Sequence, residues 1–171
     1  MKKTLKPKTK NLKLNHGFTL FEMLIVLAII TIAATFVTIN YVNHSYQDII
    51  STTQEIVAVM RNAQDNSISQ ESGNQWGVHF ENPASGDDFY ELFSGASYSD
   101  GLVISKKVLP TDIYFTTPSS DDLSVDIIFS KITGLPLSDQ SITLSSTDNK
   151  YSVVIIAYGL SGKIDYQITK N

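Results

Sequence analysis

The stretch GFTLFEMLIVLAIITIAATFVTINY, residues 17–41, decides how the rest of the chain is read. From Met23 to Ile39 it is apolar except for Thr31, Thr35 and Thr38, and it holds no charge. Together with Phe18 to Phe21 it supplies about the ~20 residues that a helix needs to cross a ~30 Å hydrocarbon layer. A transmembrane helix is therefore expected over residues 18–41. An ordinary secretory signal peptide fits less well, because it wants a shorter apolar core followed by a small-x-small cleavage site. Ala33 and Ala34 lie inside the apolar run, not beyond it.

On either side of this stretch the charge is unevenly spread. Six of the thirteen basic residues (Lys2, Lys3, Lys6, Lys8, Lys10 and Lys13) precede Gly17, and no acid does. The remainder holds seven basic residues against seventeen acids, so the formal net charge of -4 averages two unlike parts. A basic leader before an apolar run and an acidic body fits a leader in the cytoplasm and an exported body. The acidic body argues against direct nucleic-acid binding, which needs a basic footprint to neutralise phosphates; Lys106-Lys107 is a local exception. The chain has 171 residues, room for one domain of ordinary size, and no cysteine. Disulfides, Cys-based zinc sites, thiol catalysis and Cys-linked lipid anchors are thereby excluded.

Glu22 is the anomaly in the greasy run. A carboxylate in a membrane-spanning helix costs roughly 2.5–3.5 kcal/mol at the centre and less near an end. No Lys, Arg or His lies within a helical turn of it. Near the headgroups, in the first turn of a helix, the macrodipole favours an acid. A second reading follows if the leader is removed after Gly17. Phe18 then carries a new ammonium group, with Glu22 four residues on. Each charge can be satisfied by a neighbouring copy stacked with an axial offset, and the pair then sets the register of an apolar bundle.

Gly17-Phe18-Thr19-Leu20-Phe21-Glu22, behind a basic leader and before an apolar run, resembles the prepilin cleavage and methylation signature of type IV pilins and type II secretion pseudopilins. The resemblance implies cleavage between Gly17 and Phe18 by a prepilin peptidase, N-methylation of Phe18, and a Glu22 that contacts the Phe18 amine of an adjacent subunit. It further implies other pilin or pseudopilin subunits, an inner-membrane assembly platform and, before assembly, membrane lipid as partners. The place implied is the inner membrane, crossed once with the head outside the cytoplasm, and then a periplasmic or surface filament. Many major pilins carry a helix-kinking proline where this chain has Ile39, which weakens a major-pilin assignment and leaves minor pilins and pseudopilins open.

Beyond the membrane segment the helical pattern continues. Val42, Tyr46, Ile49, Thr53, Ile56, Met60 and Ala63 follow a three-and-four spacing, while Asp48, Glu55, Arg61 and Asp65 fall mainly elsewhere. No proline interrupts residues 18–70, so one helix of about fifty residues is expected, roughly 75 Å at 1.5 Å per residue. Its second half should pack one face on a small sheet. After Ser72-Gly73-Asn74 the period changes to two, with Trp76, Val78 and Phe80 alternating against Gln75, Gly77 and His79 in a half-buried strand. Further strands are expected at Phe89–Phe93, Leu102–Lys106, Ile113–Thr117, Val125–Ser130, Ser141–Ser145, Tyr151–Tyr158 and Lys163–Ile168. Ser94–Gly101, small and polar, reads as a mobile loop. Turn chemistry at Pro83–Asp88, Gly134-Leu135-Pro136, Thr147-Asp148-Asn149-Lys150 and Gly159–Gly162 separates the elements.

The fold expected is α+β: one long N-terminal helix, transmembrane in its first half, packed on a C-terminal antiparallel β-sheet head. The segments are a leader (1–17), a membrane or filament-core helix (18–41), its amphipathic continuation (42–72) and a β-rich head (73–171). Met60-Arg61-Asn62-Ala63-Gln64 leading into Trp76-Gly77-Val78, then Ile128-Phe129, Gly134 and a Tyr158–Ile164 hairpin, resemble minor pseudopilins of the GspH/FimT type, and the pilin fold is implied.

No catalytic, cofactor or metal constellation stands out. His16, His44 and His79 have no ligand spacing to one another, so a solvent-facing or loosely satisfied histidine is the expectation for each. Gly159-Leu160-Ser161-Gly162-Lys163 is too short for a phosphate loop and lies between strands. No G-x-S-x-G occurs. Asp121, Asp122 and Asp126 lack EF-hand spacing and read as a solvated acidic turn. The expectation is a non-enzymatic filament subunit of a type IV pilus or type II secretion pseudopilus. The alternatives are a competence-type pseudopilin in DNA uptake, or a signal-anchored extracytoplasmic binding module or enzyme.

Overall fold

The computed structural model describes residues 19–119 and 123–171, with the side chains of all of these except residues 35–43. The chain divides into two compact units, Met1–Tyr41 and Val42–Asn171. Helix α1 (Leu20–Ile68) begins in the first and ends in the second.

In the first unit every described side chain of residues 19–34 is exposed, among them Leu20, Phe21, Met23, Leu27 and Ile30. Thr31 keeps its hydroxyl satisfied inside this apolar run by donating to the carbonyls of Leu27 (3.0 Å) and Ala28 (2.8 Å), the usual accommodation of threonine within a helix. Among the described residues, no helix is long and apolar enough to cross a membrane. The described part of the apolar run, residues 19–34, falls short of the ~20 residues required. Phe18 and the side chains of residues 35–43, which complete the expected span, lie outside the described residues.

In the second unit α1 shows the face that its spacing predicts. Ile49, Thr53, Ile56, Met60 and Ala63 are fully buried, and Val57 nearly so. Tyr46 stays partly exposed but sets its ring 5.1 Å from that of Tyr151. At the far end of the helix the Gln64 amide donates to the carbonyls of Gly134 (2.8 Å) and Gly162 (2.7 Å), tying two turns to one side chain.

Eight strands are found among the described residues, all paired antiparallel: β1 (Trp76–Asn82), β2 (Phe89–Ser94), β3 (Leu102–Val108), β4 (Ile113–Thr117), β5 (Leu123–Phe129), β6 (Gln140–Ser146), β7 (Tyr151–Ala157) and β8 (Ile164–Lys170). Each lies where alternation predicts it, with ends moved by one or two residues. The small sheet expected as the partner of α1 is instead two four-stranded sheets, ordered β3-β2-β1-β5 and β4-β6-β7-β8. The chain changes sheet three times, between β3 and β4, β4 and β5, and β5 and β6. At the first crossing, Leu109-Pro110, Leu109 is buried and its N–H donates to the Asp88 carbonyl (2.8 Å). Buried polar groups stitch the two sheets together. The Asp88 carboxylate accepts the Phe115 N–H (2.5 Å), and the Asn82 amide donates to the Phe115 carbonyl (2.9 Å). The inner faces meet α1 in one core that includes Phe80, Phe115, Ile127, Phe129, Leu144 and Ile155.

The expectation of a half-buried β1 is corrected. Gly77 and His79, on its outward side, are as buried as Trp76, Val78 and Phe80. The cover is the Phe93 ring over Gly77 and Tyr98 of the Ser94–Gly101 loop, whose ring stacks on His79 and meets Phe93 edge-on.

Candidate functional site

The first turn of α1 is shaped by the sequence T-x-x-E. The Thr19 side chain accepts the Glu22 N–H (3.2 Å), and the Thr19 carbonyl accepts the Met23 N–H (3.2 Å). Thr19 is therefore the N-cap, and Glu22, at the third helical position, is the acid of a capping-box sequence. A carboxylate here also faces the positive end of the helix dipole. Among the described residues no cation pairs with Glu22, which lies exposed among Leu20, Phe21 and Met23. Gly17 and Phe18, the residues on either side of the expected scissile bond, lie outside the described residues. The geometry therefore presents an uncompensated carboxylate at the start of an apolar helix.

A second constellation lies on the outward face of the first sheet. Strand register places Asp126, His79, Glu91 and Lys106 opposite one another across β5, β1, β2 and β3, one residue from each strand. The His79 ring is 5% exposed, with Nδ1 2.6 Å from Asp126 Oδ1 and Nε2 3.2 Å from Glu81 Oε2. Only the imidazolium, with two N–H donors, satisfies both carboxylates at once. Burial lowers the pKa of His79, but the hydrogen bonds and charges of Asp126 and Glu81 outweigh it and the net shift is upward. The Tyr98 ring stacks on the imidazole at 3.6 Å, and its hydroxyl donates to Glu91. Burial, then the Glu91 contact, pushes that phenol up to about 12. Lys106 closes the row, with Nζ 3.4 Å from Glu91 and 3.2 Å from the Phe89 ring centre.

The row has the parts of a His–Asp dyad but not its chemistry. Base catalysis needs a nucleophile or substrate proton within reach of Nε2; that nitrogen faces Glu81, and Tyr98 covers the ring. A cavity of about 300 Å³ lies beside β5, lined by Gln75, Asp126, Ile128, Ser130, Pro136 and Gln140. Its one acid, Asp126, is turned to His79. Among the described residues no cluster of three or more His, Asp or Glu is arranged to hold a metal ion.

The structure revises several residue-level expectations. His79 is buried and bonded at both nitrogens, not solvent-facing or loosely satisfied, because the Tyr98 loop covers it. His44 is exposed beside Asp48 (3.8 Å); His16 lies outside the described residues. Asp126 is a strand residue and not part of a solvated turn, while Asp121 and Asp122 lie outside the described residues. Lys106 and Lys107 do not form a free basic patch, since Glu91 takes one and Glu55 the other. The cross-strand row escaped the sequence because it depends on strand order, which alternation does not encode. The T-x-x-E cap was readable but is easily masked by the membrane signal around it.

Among known proteins, residues 12–38 match the family model described as the prokaryotic N-terminal methylation motif. No curated protein and no solved structure matches the chain. The matched segment runs through the expected cleavage point and the capped Glu22 into the apolar run, and it implies prepilin peptidase processing and assembly with other pilin subunits. Over residues 12–38, then, this chain carries the prepilin signature of type IV pilins and pseudopilins.

Proposed function

We propose that the chain is a structural subunit, a minor pilin or pseudopilin, of a type IV pilus or type II secretion pseudopilus, and not an enzyme. It is held in the inner membrane by residues 18–41 before assembly, with residues 42–171 outside the cytoplasm. The peptidase cuts between Gly17 and Phe18 and methylates Phe18, leaving a cationic amine at the end of the apolar helix. On this reading the first half of α1 is the apolar stem, and the second half packs on the head.

The observation that carries the proposal is Glu22: exposed, without a cation among the described residues, and inside the matched methylation motif. An acid in that place is costly in lipid and is retained when a neighbouring copy supplies the counter-charge. The Phe18 amine of that copy has the right sign and sits at the same helix end. Assembly is then the extraction of apolar stems from lipid into a bundle whose axial offset is set by the Glu22–amine contact.

The test is Glu22→Leu in the full chain. Loss of the carboxylate eases membrane insertion, so the variant is expected to insert and lose its leader normally while filament formation falls at least tenfold. Filaments at native abundance in this variant would show that Glu22 sets no register.

A competence-type role in DNA uptake gains nothing from the head. Lys106 and Lys107, its local basic pair, each face an acid of the same subunit, Glu91 and Glu55.

A further inference from the structure

The outer strands of the first sheet differ from the other sheet edges. All seven residues of β3 are exposed, with Leu102 at 69%, Ile104 at 48% and Val108 at 54%. Among the described residues β3 bonds only to β2, leaving its other edge of backbone N–H and C=O groups unpaired. Proteins blunt such edges with charge, proline, bulges or a covering loop. In the second sheet, β4 is five residues long between Pro110 and Pro118, and β8 carries Asp165 and Lys170. On β3 the two lysines are drawn back over its own subunit, Lys106 to Glu91 and Lys107 to Glu55. Leu102 to Ser105 carries no charge at all.

The opposite edge of the same sheet is β5, bridged at its end by Pro136 but paired along its length only with β1 among the described residues. Two features make it the complement of β3. β3 runs parallel to β1 and β5 antiparallel to it, so the two outer strands are antiparallel to each other. A copy placed beside the first in the same orientation therefore continues the sheet in its own antiparallel pattern. The charged row across the sheet also begins with Asp126 on β5 and ends with Lys106 on β3. It alternates in sign, and its two ends are opposite.

We propose that Ile104–Val108 of one copy pairs antiparallel with Ser124–Ile128 of a second copy of this chain, short of the Pro136 bridge at Phe129, with Lys106 opposite Asp126 and Val108 opposite Ser124. This deepens the subunit reading and rests on it. Each contact is head-to-tail, uses both edges once, and leaves a fresh β3 and a fresh β5 exposed, the arrangement that grows into a filament and not a closed dimer. Antiparallel self-pairing of β3 reverses one copy end to end and closes as a dimer.

Disulfide trapping tests the pairing directly, because the chain has no cysteine of its own. Val108 and Ser124 are exposed, so Val108→Cys and Ser124→Cys leave the core untouched. The full chain carrying both is assembled in its native membranes, oxidised, and run on a non-reducing gel. A ladder of linked copies is expected, against monomer for each single variant. Adding Lys106→Glu to the double variant is expected to reduce the ladder at least fivefold. A chain that has lost its leader, seen as a shorter band, yet gives no ladder overturns the edge pairing while the subunit reading stands. A dimer from Val108→Cys alone, or links to a different protein in place of the ladder, likewise overturns it. A chain that keeps its leader and gives no ladder overturns both readings.

Discussion

His79 sits between Asp126 and Glu81 under the Tyr98 ring, and this arrangement gives the head a pH dependence of definite sign. Burial alone lowers the histidine pKa; the two carboxylates reverse the shift and leave it above the ordinary ~6.5. A raised folded-state pKa means that this contribution is fully present below about pH 6.5 and is lost as pH rises through the folded value. The native chain in detergent should therefore lose urea midpoint between pH 6 and pH 9 relative to His79→Gln, whose midpoint lacks this component. An equal pH response in the two chains would show that the imidazole stays neutral. Replacing His79 by Ala leaves two carboxylates unpaired and should cost about 1–2 kcal/mol at pH 6, below the ~3–5 kcal/mol of fully buried pairs. The discount reflects Asp126 and Glu81, which remain 36% and 32% exposed. Nothing in the alternation of β1 announced this role. A histidine two residues from a glutamate on a strand looks solvent-facing until the neighbouring strand brings Asp126 to its other nitrogen.

At the scale of elements, the legible features were those with a period. Ile49, Thr53, Ile56, Met60 and Ala63 were predicted as one face of the helix and form its buried face. Truncating one of them, Met60→Ala, should cost about 2–5 kcal/mol, the range for emptying a packed site, read as a shift in urea midpoint. The turns were legible in composition but not in their connection to α1. Gln64 holds the Gly134 and Gly162 carbonyls together, 70 and 98 residues away in sequence, a separation that no local pattern reports. Gln64→Ala should cost about 1–3 kcal/mol, the sum of two modest hydrogen bonds, and should speed hydrogen exchange in both turns. Gly134 is fixed by two independent constraints. Its φ of +62° favours glycine, and a Cβ there would come within 2.7 Å of Ile68. Gly134→Ala should therefore destabilise the head by more than ~1 kcal/mol, whereas a change at the open Gly73 meets no such contact.

At the scale of the whole molecule, the sequence carries two messages of different clarity. Eight strands could be placed from alternation, yet their division into two sheets could not, because an alternating strand looks the same in either sheet. The division depends on three crossings between the sheets, the first at Leu109-Pro110, and on the Asp88 and Asn82 bonds to Phe115, contacts between residues far apart in the chain. The methylation signature, by contrast, is confined to residues 12–38 and was legible, since it is a local pattern that needs no contact between distant residues. The signature implies a route through prepilin peptidase processing to assembly with other pilin subunits. Intact mass of the chain isolated from membranes tests that route most directly. The expected species is a polypeptide beginning at Phe18 with one methyl group on its amine; a mass that retains residues 1–17, or that reports cleavage near Ala34, would refute prepilin processing of this chain.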